Sequence, residues 1–125
     1  MSSFEKSIVY IVDRDQNLLD SLSKHLSAHD INVEVFKSAE EFLLTKLRIR
    51  SACLIVEVKL PLMDGIELLK HINNLGVRLP TLVLSSVGDV SEAVRAMQAK
   101  AIDFIEKPFI EETLVARVLE VLKFD

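Results

Sequence analysis

The stretch CLIVEVKLPLMDG, Cys53 to Gly65, decides the fold. Leu54-Ile55-Val56 is a short continuous apolar run, the mark of a strand buried on both faces, and it ends on Glu57. A loop containing Pro61 follows, and from about Gly65 the residues Ile66, Leu69 and Ile72 share one face of a helix. A carboxylate at the end of a buried strand is costly unless something nearby neutralises or uses it. The partner of Glu57 must come from elsewhere in the chain.

The same strand-then-helix pattern repeats on both sides of this unit. Ile8–Val12 (IVYIV) reads as strand one, and Leu18, Leu22 and Leu26 at four-residue spacing predict the helix after it. Asn32–Phe36 reads as strand two, flanked by polar residues and so placed at a sheet edge. Ser38 three residues before Glu41 forms a capping box that opens a helix over Ala39–Leu47. Ala52–Val56 is strand three, and Thr81–Ser85 (TLVLS) is strand four. Asp89 with Glu92 as its partner caps a further helix, whose Ala93, Val94 and Met97 are assigned to the core. Asp103–Glu106 (DFIE) is strand five, and Thr113–Lys123 is the last helix, with Leu114, Val118 and Leu122 inward. Five strands, each followed by a helix, predict an α/β fold with a parallel sheet covered on both faces. Right-handed crossovers favour the flavodoxin-like (βα)5 arrangement, strand order 2-1-3-4-5.

Bulk properties narrow the function. With 125 residues, half of them hydrophobic, and a mean hydropathy of +0.30, residues 1–125 are expected to form a single domain with a sizeable core. Three Gly and three Pro leave little room for linkers. No apolar run approaches the roughly 18 residues of a membrane helix, and Met1 to Ser7 is polar, unlike a secretory signal. A cytoplasmic location without a membrane partner is expected. The single Cys53 excludes an internal disulfide and a Cys-based zinc site, and it reads as a core thiol. A net charge of −4 and a pI near 5.4 argue against nucleic-acid binding by this domain alone. His25 and His29 stand at metal-compatible spacing, but no further ligand accompanies them, and His71 is isolated. No GxGxxG, GxxxxGKS or GxSxG motif occurs, so dinucleotide, P-loop and hydrolase chemistry lack their signatures.

In such sheets ligands sit beyond the carboxyl ends of the strands, at the switch point between strands one and three. Asp13-Arg14-Asp15, Glu57, Ser85-Ser86 and Lys107-Pro108 all fall at those ends. A lysine beside clustered carboxylates keeps them ionised. Such a convergence marks a functional site, with a structural ion pair as the plainer alternative.

The segments IVYIVDRD, LPLMDG, PTLVLSS with GDV and EAVRAM behind it, and AIDFIEKPF resemble the receiver domain of bacterial response regulators. The likeness is closest to the FixJ-like subgroup, whose receivers usually precede a DNA-binding helix-turn-helix, and it covers essentially the whole chain. In that family two adjacent acids after strand one help hold Mg²⁺, and an Asp after strand three accepts a phosphoryl group from a histidine kinase. A Ser or Thr after strand four and the Lys of the Lys-Pro pair contact the phosphoryl, and an aromatic residue three positions before that Lys reports the switched state. The resemblance assigns these roles to Asp13, Ser85, Lys107 and Phe104. It also implies a cis Lys107–Pro108 bond and a left-handed backbone at Lys100, which with Asp30 stands where the family often has Gly. Finally, it implies homodimerisation through helix four, strand five and helix five, a surface carrying Arg95, Asp103 and Arg117.

Two positions depart from the family at the centre of its chemistry. Arg14 replaces the second metal-binding acid, and Glu57 replaces the phosphoaccepting Asp. Mg²⁺ prefers carboxylate oxygens in near-octahedral array, whereas a guanidinium brings a permanent positive charge. Asp15 is either a substitute ligand or, as preferred here, the cap of the first helix. Glu57 carries its carboxylate about one bond further than Asp, and a misplacement near 1 Å can cost about 10²-fold in a positioned transfer. The glutamate then either partly mimics a phosphoryl group near Ser85 and Lys107, or pairs bidentately with Arg14 and plugs the site. In both cases Arg14 and Lys107 are expected to neutralise it in place of a metal.

The expectation is a non-enzymatic, phosphorylation- and Mg²⁺-independent pseudo-receiver without cofactor. It would act through protein partners such as a sensor kinase or an output domain. One alternative is a conventional Mg²⁺-dependent phosphoacceptor with Asp13 and Asp15 as ligands. Another is a flavodoxin-like ligand-binding protein, although DRDQN replaces the phosphate-binding loop such a protein needs after strand one.

Overall fold

Alternation along the strands explains why their apolar runs are unbroken. Val9, Ile11, Cys53, Ile55, Leu82 and Leu84 pack into one buried layer, and Tyr10, Val12, Leu54, Val56 and Val83 into another on the opposite face. The computed structural model describes residues 7–48 and 50–123. The polar start of the chain before Ser7 lies outside the described residues. β1 (Ile8–Val12), α1 (Gln16–Ser27), β2 (Asn32–Phe36), α2 (Ala39–Leu43), β3 (Ala52–Glu57), α3 (Gly65–Asn74), β4 (Thr81–Ser85), α4 (Val90–Gln98), β5 (Asp103–Glu106) and α5 (Glu111–Lys123) alternate along the chain. The five strands form one parallel sheet of order β2-β1-β3-β4-β5, the flavodoxin-like order expected, with β2 at an edge. Leu19, Leu22 and Leu26 of α1 and Leu114, Val115, Val118 and Leu122 of α5 close one face. Ile66, Leu68, Leu69 and Ile72 of α3 close the other with Phe42 of α2 and Ala96 of α4. The inward residue of the first turn of α1 is therefore Leu19, with Leu18 only half-buried.

The registers Val12↔Val56, Glu57↔Leu84 and Ser85↔Glu106 align the carboxyl ends of four strands. Asp13, Glu57, Ser85 and Lys107 thus reach one edge of the sheet.

Three sequence expectations change. First, α2 ends at Leu43 rather than Leu47. The Tyr10 hydroxyl donates to the Arg48 carbonyl (3.2 Å) and accepts from the Arg48 N–H (2.7 Å). These bonds hold the chain after α2 in a non-helical path, on which Leu47 still packs against the core. Second, α5 begins at Glu111, two residues before Thr113. Third, α4 does not send Val94 and Met97 into the core. Ala96 is its buried residue, while Val90, Val94 and Met97 are exposed. β5 is a short edge strand and offers α4 little surface to cover. Lys100 (φ 69°) is left-handed and the Lys107–Pro108 bond is cis, both as expected, and Asp30 (φ 62°) is left-handed as well. No described helix is long and apolar enough to cross a membrane.

Candidate functional site at the carboxyl edge of the sheet

β1 delivers Asp13 fully buried. Its Oδ1 accepts the Asp15 N–H (2.9 Å) and its Oδ2 accepts the Lys107 ammonium (2.8 Å). Asp15 caps α1, its Oδ1 accepting from the N–H groups of Asn17 (3.0 Å) and Leu18 (3.4 Å). That is the preferred of the two roles read from the sequence.

Lys107 follows β5, and its own N–H donates to the Ser85 carbonyl (2.7 Å). Its ammonium bridges the two buried acids, donating to Asp13 Oδ2 and to Glu57 Oε2. Burial by itself lowers the lysine pKa, but the hydrogen bonds to Asp13 and Glu57 outweigh it and hold the group above its ordinary 10.5. Glu57 is only 5% exposed. Burial pushes its carboxyl above 4.5, helped by the Asp13 charge and opposed by the Lys107 hydrogen bond. Its second oxygen, Oε1, is buried and has no hydrogen-bond partner among the described residues. Two carboxylates therefore share one ammonium.

α3 docks tightly against this strand end. Gly65 donates its N–H to the Val58 carbonyl (2.9 Å), and a Cβ there would overlap the Glu57 carbonyl oxygen. Asp64 and Glu67 complete a capping box, and Glu40 of α2 accepts the Met63 N–H (3.3 Å).

Arg14 corrects the sequence reading. It is exposed, and among the described residues it makes no ion pair or side-chain hydrogen bond. The residue after Asp13 leaves a buried strand for the start of α1, so its long cationic side chain stays hydrated rather than crossing the strand ends. Among the described residues, Lys107 is the cation that pairs with Glu57. The Arg14–Glu57 plug does not form.

Ser85 is buried, and its hydroxyl is fully used. It accepts the N–H groups of Val87 and Gly88 (3.2 Å each) and donates to Glu92 Oε1 at 2.6 Å. Glu92 is the residue that the sequence reading assigned elsewhere. Asp89 caps α4 as expected, through the Ser91 N–H (2.7 Å), but Glu92 turns back to β4 instead of completing a capping box. The signal was its place in the first turn of α4, seven residues after Ser85. Phe104 on β5 is half-buried against the core and lines a groove with Val90, Ala93, Val94 and Met97.

His25 meets Glu111 Oε1 at 3.4 Å and stacks on His29, and no group of three potential metal ligands occurs among the described residues.

An α/β sheet whose four strand ends gather two buried acids, a hydroxyl and a lysine defines a class, that of receiver-type signalling domains. Residues 9–119 match the response regulator receiver domain model, and the chain belongs to that family. It is 38% identical over 117 residues to the response regulator protein TodT of Pseudomonas putida, covering 94% of this chain and 52% of TodT. It is 38% identical over 112 residues to the transcriptional regulatory protein FixJ of Rhizobium meliloti, covering 90% of this chain and 54% of FixJ. Among solved structures, a response regulator receiver protein from Pseudoalteromonas atlantica superposes with a TM-score of 0.85 at 42% identity, covering 93% of this chain and 97% of that one. The chain spans about half the length of the curated relatives it matches. The domain is thus a two-component response regulator receiver, with FixJ-like transcriptional regulators among its homologues.

Proposed function

We propose that this receiver works as a phosphorylation- and Mg²⁺-independent interaction module rather than as an enzyme or a phosphoacceptor. The observation that carries this reading is the Lys107 ammonium bridging Asp13 and Glu57. The residues do not fit a Mg²⁺ site. Both oxygens of Asp13 already accept protein donors, Asp15 is spent as a helix cap, and Arg14 offers no oxygen. Among the described residues, Glu57 Oε1 is the buried side-chain oxygen left without a partner, and a lysine ammonium rather than a cation-binding acid faces that carboxylate, where an octahedral ion needs several oxygen ligands. Glu57 is also one bond too long for in-line attack on a phosphoryl donor held as the family holds it. Single reversion Glu57→Asp is expected not to restore labelling by acetyl phosphate, because the second metal-binding acid is still missing. The double reversion Arg14→Asp, Glu57→Asp is expected to recover Mg²⁺-dependent acylphosphate, a non-additive outcome typical of groups acting as one unit. Equal labelling of the single and double variants would refute the role given to Arg14.

Its partners are proteins, a sensor kinase or an output domain of the kind carried by FixJ-like regulators, with no nucleic acid bound by this domain alone. The α4–β5–α5 face is the proposed site of a weak homodimer. It exposes Val90, Val94 and Met97, flanked by the Arg117–Asp103 (3.5 Å) and Arg95–Asp64 (3.4 Å) pairs. Scattered apolar residues need no explanation, but this row shares one helix face. Light scattering is expected to show a mass rising with concentration, and a strict monomer at high concentration would remove the dimer.

A further inference from the structure

We propose that His25 and His29 form a two-ligand site for a transition-metal ion of the Zn²⁺ class, with Glu111 of α5 as the group that orients His25. The site shares no residue with the cluster of Asp13, Glu57 and Lys107, so it stands whether or not Glu57 accepts a phosphoryl group.

The four-residue spacing becomes a site because the chain past α1 keeps close to helical register. Ala28 donates its N–H to the Lys24 carbonyl (3.2 Å) and His29 to the Leu26 carbonyl (2.9 Å), so His29 stays one turn along from His25 on the same side. The two rings lie 13° from parallel, with centroids 6.5 Å apart. Imidazole nitrogens suit Zn²⁺, Cu²⁺ and Ni²⁺, and a zinc ion takes them at about 2.0–2.1 Å. His29 is exposed and makes no side-chain hydrogen bond or ion pair among the described residues, so rotation of its ring closes the remaining gap. His25 faces a carboxylate that is already held in place. The Ser21 hydroxyl donates to Glu111 Oε2 (2.5 Å), and Glu111 Oε1 lies 3.4 Å from His25 Nδ1. With its proton on Nδ1 and directed at Glu111, His25 keeps the Nε2 lone pair for a metal. Metal-bound histidines commonly give their other N–H to a carboxylate in this way. His25 also lies in the last turn of α1, where the helix dipole favours positive charge. Glu111 is an orienting group and not a third ligand, since no group of three metal ligands occurs among the described residues, and water fills the other positions. An occupied site clamps the last turn of α1 to the first residue of α5.

The test is a Zn²⁺ titration of the untagged 125-residue chain, with its three imidazoles read by ¹H–¹⁵N NMR. The His25 and His29 signals are expected to move or broaden along one binding curve. His71 should stay in place, and Mg²⁺ at the same concentration should move none of the three, because it prefers oxygen ligands. His25→Gln, His25→Ala and His29→Ala are each expected to weaken binding by about 10-fold or more, since the chelate loses an arm. Two His25 variants keep that arm readable should one of them fail to fold. Glu111→Gln keeps an acceptor for Ser21 but loses the charge, and a fall of about 10-fold in Zn²⁺ affinity is expected. Unmoved His25 and His29 signals at millimolar Zn²⁺, a His71 shift with the same midpoint, or an unchanged midpoint in His29→Ala would overturn the site. A mass that doubles on adding Zn²⁺, and does not in His29→Ala, would overturn it too, because the metal would then join two chains. An unchanged midpoint in Glu111→Gln would overturn the orienting role. None of these results bears on phosphorylation of Glu57.

Discussion

Lys107→Met removes the one cation that Asp13 and Glu57 share while keeping an unbranched, apolar stem in its place. Both acids are buried, with side chains 1% and 7% exposed, so water cannot replace the ammonium without opening the strand ends. Breaking a buried ion pair from one side costs about 3–5 kcal/mol. An unfolding entropy of about 2.1 cal/mol/K per residue gives this 125-residue chain roughly 0.26 kcal/mol/K, so the melting temperature should fall by about 11–19 °C at pH 7. The deficit should shrink on acidification, as one orphaned carboxyl takes up a proton and ceases to repel the other. Adding Glu57→Gln in the Lys107→Met background should recover at least about 1 kcal/mol, since the pair repulsion goes with the second charge. Urea unfolding of the wild type, the two single variants Lys107→Met and Glu57→Gln, and the double variant across pH 4.5–8 measures all of this. A Lys107→Met cost below about 1 kcal/mol, with an unchanged pH profile, would show that the two acids do not depend on the lysine.

In the wild-type protein, the raised pKa of Glu57 means that the folded state holds this proton more tightly than the unfolded chain does. Its contribution is therefore full below pH 4.5 and lost as pH rises through the folded value, so the stability of Glu57→Gln relative to wild type should climb from pH 4 to pH 7. A flat difference in denaturant midpoints would contradict the shift. Gly65→Ala places a methyl against the Glu57 carbonyl, so a loss of about 1–3 kcal/mol in urea unfolding is expected. An unperturbed variant would mean that α3 is not seated as described. Lys100→Gly relieves a left-handed non-glycine residue worth about 1 kcal/mol, partly offset by unfolded-chain entropy, and should raise the melting temperature by about 2 °C. A lower melting temperature would refute the strain.

The fold was legible because its signals are local and redundant. The three apolar runs of β1, β3 and β4, the caps Asp15, Ser38 and Asp89, and the edge character of β2 all agree with one strand order. The convergence of Asp13, Glu57, Ser85 and Lys107 was equally legible, since strand ends in a parallel sheet share an edge. What failed depended on side-chain direction. Guanidinium–carboxylate complementarity across the strand ends suggests an Arg14–Glu57 pair, yet successive residues leaving a strand point to different sides, and a guanidinium stays with water when it can. Local sequence predicts Glu92 as a capping-box partner of Asp89, but the buried Ser85 hydroxyl, needing an acceptor, takes it instead. α2 is shorter than the sequence predicts because capping and periodicity speak for a helix start and say nothing of Tyr10 holding the chain at Arg48. For α4, the spacing of Ala93, Val94 and Met97 marks an apolar face without saying whether a sheet or a partner covers it, and Val94 and Met97 are exposed.

The most direct test of the central claim is magnesium titration of the unmodified protein followed by incubation with acetyl phosphate, with acylphosphate counted per chain. Lys107 bridging Asp13 and Glu57 predicts no saturable Mg²⁺ binding at millimolar concentration and no label. Stoichiometric, Mg²⁺-dependent labelling would contradict it and make this a conventional phosphoacceptor receiver.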